Sequence, residues 1–518
     1  MGLSPVHCQQ HLVYSASPRV DFLQALHGSL ELFTLKNRSL SALSARGLSL
    51  ALIVSSVLIA LTACGQRIYV IPQYSFAGRP VPPSLLQQRV MVSITNAGSG
   101  ALEILDGLRD LRNNVPNTIP SFSIKGYSGG YPSLILNFPE QLRGYVYSNS
   151  QPVGVSIVNY STESTSGSAS GGASTSLAIA PDFIRIFSAA EQSGQIVVID
   201  SHLGTAYALN LPNVSKVAVN RGDTVVLAMV RNSNALYRIL KLNINSASPP
   251  GAIDCQPTIL PVYCVVPVPG TFDRPVDATF SLDGSSAYVI NCGQECGGGS
   301  NGGAGVSFIP EGSLQIDNYP TALPYPLVVT QTVPIPGGST IALADPTNLY
   351  LAGQQLQPDG LYAGRLTTLN LTTMVPSAPV SISDGTHTRM LFADDNTLWI
   401  GSQFCATGER ASLGQNYNCL TRYDLAAGSA AIVPAINAAT ANTAASVPYP
   451  NANNNLLYLG SLTGICWVQN YHKVYTAYGG QVHAFSTATG AEINNINITV
   501  QGTALDVAYM DALSNSAN

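Results

Sequence analysis

Charged residues are scarce in this chain. Asp, Glu, Lys and Arg make up 10% of its 518 residues, against about 25% in a typical soluble domain. The 28 acidic residues outnumber the 23 basic ones, and the sequence contains no run of Lys or Arg. Binding to nucleic acid requires a concentrated positive surface that neutralises phosphates. The composition therefore argues against a nucleic-acid partner.

Histidine and tryptophan are also rare, with seven and two copies. No HExxH zinc motif, Gly-rich phosphate loop or EF-hand loop is present. Residues 126–130 (GYSGG) match the G-x-S-x-G pattern around Ser128, but that motif needs a strand before it and a helix after it. Here Pro132 and a strand-like run follow, which favours a glycine turn. The sequence assigns no catalytic residue, no metal site and no cofactor.

Beyond the first 65 residues, no long segment repeats apolar residues every 3.6 positions, as an amphipathic helix would. Short apolar runs instead alternate with turns, and Gly (46 residues) and Pro (33 residues) are plentiful. With 46% hydrophobic residues the chain can bury a large core. This pattern predicts an all-β protein.

The N-terminal part contains an export signal. Residues 48–61 (LSLALIVSSVLIAL) carry no charge, follow Arg46, and are too few to span a bilayer, which needs about 20 residues. Small residues and Cys64 come next. A basic flank, a short apolar core and small residues at the end are typical of a secretory signal.

Residues 61–64 (LTAC) resemble the lipobox of bacterial lipoproteins. The resemblance implies cleavage before Cys64 and lipidation of its thiol, and Gly65 after it is similar to lipoproteins sorted to the outer membrane. An ordinary signal peptide or an uncleaved anchor are the alternatives. We expect a precursor segment at 1–63, whose true start is a non-Met codon upstream of Arg46, and a lipidated Pro-rich tether at 64–88.

From residue 89 onward one theme recurs, in which two apolar runs flank a polar turn, as in a β-hairpin. The eight copies pair residues 90–94 with 101–106, 144–148 with 153–158, 183–187 with 194–200, 225–230 with 236–240, 287–290 with 305–309, 349–352 with 366–369, 398–401 with 420–424, and 474–477 with 481–485.

Further runs such as 276–281 precede several hairpins, giving units of three or four strands, which indicates a β-propeller. Residues 280–291 (FSLDGSSAYVIN) resemble the repeat of YVTN-type propellers. The run 503–509 lacks a hairpin and the first hairpin lacks a first strand, so joining them would close the ring. We predict one propeller of seven or eight four-stranded blades over 89–512 and a short tail at 513–518. An open β-sandwich or two smaller β domains are the alternatives, and residues 161–176, rich in Ser, Gly and Thr, are expected to form a flexible loop.

Three pairs of cysteines lie close together in the sequence. In an exported protein this spacing favours disulfides, although zinc binding at C-x3-C is an alternative that would need further ligands. Cys466 lies alone in an apolar run and is expected to be a buried thiol. The candidate disulfide cysteines are Cys255 with Cys264, Cys292 with Cys296, and Cys405 with Cys419.

The leading functional hypothesis is a propeller tethered to the cell envelope that binds a protein, peptide or glycan through its loops. An alternative is a lactonase-like hydrolase with a site at the central channel, for which Asp277, Asp345, Asp394 and His387 are candidates because they lie near predicted first strands. A structural role in an envelope complex is a third possibility. Fold alone does not decide among these.

Overall fold

A computed structural model describes residues 80–513, apart from 111–122, 138–141, 171, 180–184, 201–204, 243–247, 258–260, 300, 319–321, 406–417, 434–460, 494–497 and 499. Cys64 and the predicted export signal lie outside the described residues. The described strands form eight antiparallel sheets, the blades of a β-propeller. Helical structure in the described part consists of 3-10 turns at 191–193, 293–296 and 311–313. The predicted propeller is confirmed, and it has eight blades.

Each blade begins at the centre of the ring and adds strands outward. The first strands of blades 1 to 8 are β32 (Thr503–Tyr509), β3 (Pro132–Asn137), β7 (Ser176–Ile179), β11 (Val214–Val219), β16 (Pro275–Phe280), β20 (Gly338–Ala344), β25 (Thr386–Ala393) and β29 (Leu462–Val468). The second strands are β1 (Arg89–Asn96), β4 (Arg143–Ser148), β8 (Arg185–Ala190), β12 (Val226–Val230), β17 (Ser286–Asn291), β21 (Asn348–Leu356), β26 (Thr397–Gln403) and β30 (Lys473–Tyr478). The third strands are β2 (Ser99–Asp106), β5 (Gly154–Asn159), β9 (Gln195–Asp200), β13 (Leu236–Leu242), β18 (Gly305–Pro310), β22 (Tyr362–Asn370), β27 (Leu420–Asp424) and β31 (Gln481–Ser486).

The outer strands vary most. They are β6 (Ser164–Ser170), β10 (Thr205–Asn210), β15 (Val262–Pro267) with β14 (Asp254–Gln256) beyond it, β19 (Gln331–Pro334), β23 (Val375–Pro376) with β24 (Val380–Ser381), and β28 (Ser429–Val433). In blades 1 and 8 isolated bridges take this place, Glu103 with Ser123 and Phe485 with Glu492. The expectation of a flexible loop at 161–176 was wrong, because β6 pairs along β5 from Ser164 to Ser170.

All eight predicted hairpins form the second and third strands of successive blades. The ring closes as expected, since β32 pairs with β1 in the register Val90 to Tyr509. Buried side chains then fill the spaces between neighbouring blades. For example, Leu227 of blade 4 and Val289 of blade 5 belong to one apolar cluster.

The common strand order gives the ring two distinct faces. The turns between second and third strands all lie at the end where the first strands begin, and we call this end the front face. The turns between first and second strands, and between third and fourth strands, lie at the opposite end, the back face. Propeller loops can therefore be assigned to a face from topology alone.

Candidate functional site on the front face of blades 5 to 7

Most front-face turns are short, and those of blades 1 and 8 span two residues, 97–98 and 479–480. Blades 5, 6 and 7 differ. Blade 5 carries a loop at 292–304, blade 6 extends its two central strands to nine residues each, and the connection of blade 7 runs from 404 to 419. Blades 5 and 7 thus have the longest connections between second and third strands on this face, and blade 6 has the longest central strands. We call the loop 292–304, the blade 6 hairpin end at 354–364, and residues 404–405 and 418–419 of blade 7 the front ridge.

The loop of blade 5 is organised around a buried carboxylate. Asp273, which is 1% exposed, accepts backbone N–H groups of Gly299, Asn301 and Gly303 at 2.9 to 3.1 Å. Burial alone would raise the pKa of Asp273, but these amide hydrogen bonds outweigh it and the pKa is lowered. This Gly-rich loop therefore uses amides that could cradle a phosphate to bind its own aspartate.

The same loop packs onto blade 6. The disulfide Cys292–Cys296 lies in it, and a Cβ added to Gly338 would lie 2.8 Å from the Sγ of Cys292. Gly338 begins the inner strand of blade 6. A glycine is required there because the neighbouring loop approaches so closely.

Blade 6 is joined to blade 7 in turn. The Gln354 side chain donates a hydrogen bond from Nε2 to the carbonyl of Gly385, in the segment that leads into β25. Gly385 has a φ of +91° and an added Cβ would lie 2.9 Å from the backbone nitrogen of Cys405, which is bonded to Cys419. The blade 5 loop therefore contacts the start of the blade 6 inner strand, and the blade 6 hairpin is bonded to the segment of blade 7 on which Cys405 packs.

The front ridge exposes large apolar side chains. Leu356 and Tyr362 are cross-strand partners at the end of the blade 6 hairpin and are 49% and 43% exposed. Phe404 is 62% exposed and has a φ of +60°, a conformation that bulky residues rarely adopt. Backbone strain of this kind tends to occur at functional sites, and aromatic side chains are enriched in protein interfaces.

The central channel presents a different chemistry. In seven blades the inner strand carries a one-residue bulge, which re-aims the side chain that follows it. The residues at this position are Leu134, Lys216, Asp277, Ile341, Arg389, Gly464 and Asp506, and all but the glycine carry a side chain there. Opposite charges at this level pair between blades, with Lys216 Nζ 2.9 Å from Asp277 Oδ1 and Arg389 Nη2 3.4 Å from Asp506 Oδ2.

Asp506 connects four blades. Its Oδ2 accepts the N–H of Ile135 in blade 2 at 2.7 Å, while Arg389 of blade 7 reaches it across blade 8. An added Cβ on Gly464 would overlap Asp506 Oδ1, so glycine is needed for this approach. Burial raises the pKa of Asp506, and Arg389 opposes that rise. The arrangement is that of a structural ion pair.

The four candidates for a hydrolase site do not converge. Asp277 lies in the channel, paired with Lys216. Asp345 and Asp394 lie in back-face turns, where Asp345 accepts the N–H groups of Thr347 and Asn348 at 2.7 Å. His387 is buried at the front end of β25, and burial lowers its pKa to about 4. The sequence hypothesis placed all four near the channel, whereas the structure distributes them over both ends of the ring.

Ser128 lies in an exposed loop between an isolated bridge at Lys125 and the strand β3, so a strand stands where a nucleophile elbow needs a helix. The glycines around it serve packing. An added Cβ on Gly129 would lie 2.8 Å from Ser148 Cβ and would overlap the Tyr127 hydroxyl.

Six of the described cysteines form three local disulfides. Disulfides join Cys255 to Cys264, Cys292 to Cys296 and Cys405 to Cys419. Cys466 is a free, buried thiol, and burial raises its pKa well above the usual value. Among the described residues no group of three or more His, Cys, Asp or Glu side chains is arranged to hold a metal ion.

The back face contains a groove of about 330 Å³ between blades 5 and 6. Asp283 and Leu282 border it in the turn of the YVTN-like segment, where Gly284 has a φ of +71°, and Tyr288 and Phe308 form its aromatic wall with ring centroids 5.2 Å apart. In the described part of the chain, no helix is both long and apolar enough to cross a bilayer.

Known proteins assign no family to this chain. No protein-family model and no curated protein matches the chain. Among solved structures, it is similar to hydrazine synthase of Kuenenia stuttgartiensis, with 14% identity, a TM-score of 0.45, and coverage of 70% of this chain and 98% of that one. It is also similar to dihydro-heme d1 dehydrogenase NirN in complex with DHE, with 12% identity, a TM-score of 0.48, and coverage of 83% and 79%. The β-propeller domain of Cps50 (Swd1) from Myceliophteria thermophila is 10% identical, with a TM-score of 0.43 and coverage of 70% of this chain and 98% of that one. Similarity at this level says nothing about function.

Proposed function

We propose that the chain is an exported lipoprotein of the cell envelope, anchored through Cys64, whose propeller of YVTN type binds a partner with the front ridge. The observation that carries the binding role is the contact among three neighbouring front-face segments, of which the blade 6 hairpin exposes Leu356 and Tyr362 and the blade 7 connection exposes Phe404. A preorganised surface loses little conformational entropy on binding. The predicted export signal and the LTAC sequence support the anchor, and Gly65 after Cys64 supports its position in the outer membrane.

The partner that suits this surface is a protein or peptide. Aromatic side chains provide most of the energy at such interfaces, and truncating one in a hot spot costs about 2 kcal/mol or more, which is roughly a thirtyfold loss of affinity. We therefore expect Tyr362→Ala combined with Phe404→Ala to remove the partner from the complex isolated out of detergent-solubilised membranes.

The matched control is Leu327→Ala, since Leu327 is 80% exposed but lies outside the front ridge, in the connection between the third and fourth strands of blade 5. Equal recovery of the partner with both variants would rule out the front ridge as the binding surface. Intact mass of the purified protein, measured beside Cys64→Ala, tests the anchor separately. A wild-type chain that does not begin at an acylated Cys64 would contradict lipidation.

A further inference from the structure

The exposed aliphatic side chains are unevenly distributed between the two faces. The large exposed hydrophobic residues of the front face are mostly aromatic. Ile253, Leu323 and Leu327 are also exposed, but they lie beside the outer strand β14 of blade 4 and in the connection 311–330, which packs on blade 4 through Tyr325. Those in the turns and terminal segments of the back face are all aliphatic, and they are Val81, Leu85, Leu142, Leu282, Val375 and Leu513, between 45% and 70% exposed. Each lies in a turn or chain segment at the back end of a blade.

The positions of these residues around the ring indicate the shape of the surface they fit. Val81, Leu85, Leu142 and Leu513 belong to blades 1 and 2, whereas Leu282 and Val375 belong to blades 5 and 6. In a ring of eight, blades 5 and 6 lie opposite blades 1 and 2. A peptide or small ligand in one groove would contact only one of the two groups, but a broad flat surface contacts both.

The N-terminal segment reaches the propeller at this same face. Ser84 donates hydrogen bonds from its backbone N–H and its hydroxyl to Glu163, at 2.8 and 2.5 Å, in a back-face turn of blade 2. Cys64 precedes Pro80, the first described residue, by sixteen positions. Sixteen residues span at most about 55 Å even when fully extended, so a lipid on Cys64 limits how far this face can lie from the bilayer.

We propose that the back face rests on the lipid bilayer and inserts these aliphatic side chains into it, so that the front ridge points away from the membrane. The inference rests on the proposed anchor for its orientation. Aliphatic side chains suit the acyl region of a bilayer, where apolar burial drives interfacial binding. Asp283 beside Leu282 favours zwitterionic over anionic headgroups.

The test uses the full-length, processed protein in phosphatidylcholine vesicles whose acyl chains carry bromine, a short-range quencher of tryptophan. Leu282→Trp and Leu513→Trp place a probe on opposite sides of the back face, and Phe404→Trp is the front-face control. Native Trp399 is buried, and the wild type corrects for it and for Trp467. We expect the tryptophans introduced on the back face to lose most of their emission and the front-face one to keep it.

Suppose that the intact mass confirms acylation of Cys64. Equal quenching at both faces, or no quenching at the back-face positions, would then overturn the proposed orientation while leaving the anchor intact. If the mass instead shows no lipid on Cys64, the anchor fails. Quenching of Leu282→Trp and Leu513→Trp in that unlipidated protein would then still support membrane binding by this face, and its absence would contradict it.

Discussion

Closure of the ring depends on Arg89, and removing its main partner should destabilise the whole propeller. Arg89 begins β1 and is 2% exposed. Its guanidinium donates to both carboxylate oxygens of Asp511, at 2.7 and 3.2 Å, and to Glu163 at 3.1 Å. Asp511 follows β32 and also accepts the Arg89 backbone N–H at 2.7 Å. The first and last strands are therefore joined by a buried charge pair.

Asp511→Ala leaves Arg89 buried with one carboxylate instead of two. Breaking a buried ion pair from one side costs about 3–5 kcal/mol, because the remaining charge stays desolvated. Glu163 still faces Arg89 and should keep the loss near the lower end of that range. The loss of free energy of unfolding can be measured by urea denaturation, with the disulfides intact, from the change in midpoint at constant slope.

The matched control is Glu191→Ala, which removes the partner of Arg231 in another Arg–carboxylate pair. That arginine side chain is 57% exposed, and exposed pairs contribute about 0–1 kcal/mol because water and salt screen them. We expect Asp511→Ala to cost several times more than Glu191→Ala. Similar losses of free energy of unfolding in the two variants would refute the claim that the buried Arg89–Asp511 pair stabilises closure of the ring.

Two further predictions concern the inner ring and the back face. Gly464→Ala would place a Cβ 2.7 Å from Asp506 Cα, so we expect overpacking to lower the free energy of unfolding by about 1–3 kcal/mol. Urea denaturation measures this loss beside Gly312→Ala, where an added Cβ meets nothing within 4 Å. Equal stability of the two variants would contradict the prediction. His472 lies 2.9 Å from Asp395, and the hydrogen bond and charge of that carboxylate raise the pKa of His472. The pair therefore contributes its full stabilisation of the folded state below the unfolded pKa of about 6.5. This stabilisation disappears as pH rises through the raised pKa. The stability difference between wild type and His472→Gln should therefore shrink with increasing pH, and a difference that grows would reverse the assignment.

The sequence predicted the parts of the fold that depend on local patterns. The central hairpins of every blade alternate apolar residues around Gly or Asn turns, and this period survives however the blades are placed. The run at 503–509 showed the alternation of a strand without its hairpin, which predicted closure. The strand at 164–170 was not predicted, because its Ser, Thr and Gly residues lie on an outer edge where little packs against them. No alternation of apolar residues therefore marks it in the sequence.

The front ridge could not be predicted, because contacts between blades create it. Nothing near Gly338 in the sequence shows that the loop of blade 5 packs on it, and nothing near Gly385 shows that Gln354 of blade 6 donates a hydrogen bond to its carbonyl. The hydrolase hypothesis failed to gather its residues for the same reason. Proximity to a first strand does not say at which end of that strand a side chain lies, and Asp345 and Asp394 follow their strands whereas His387 begins one.

The scarcity of charged residues explains how the chain uses the few that it has. With 10% charged residues, the chain places several of its ionic groups between blades, as in Arg89 with Asp511, Lys216 with Asp277, and Arg389 with Asp506. An ion pair that joins neighbouring blades fixes their register, and moving either partner toward a ligand would loosen the ring. Recognition is then left to groups that the ring does not need, which are the aromatic side chains of the front ridge and the aliphatic ones of the back face.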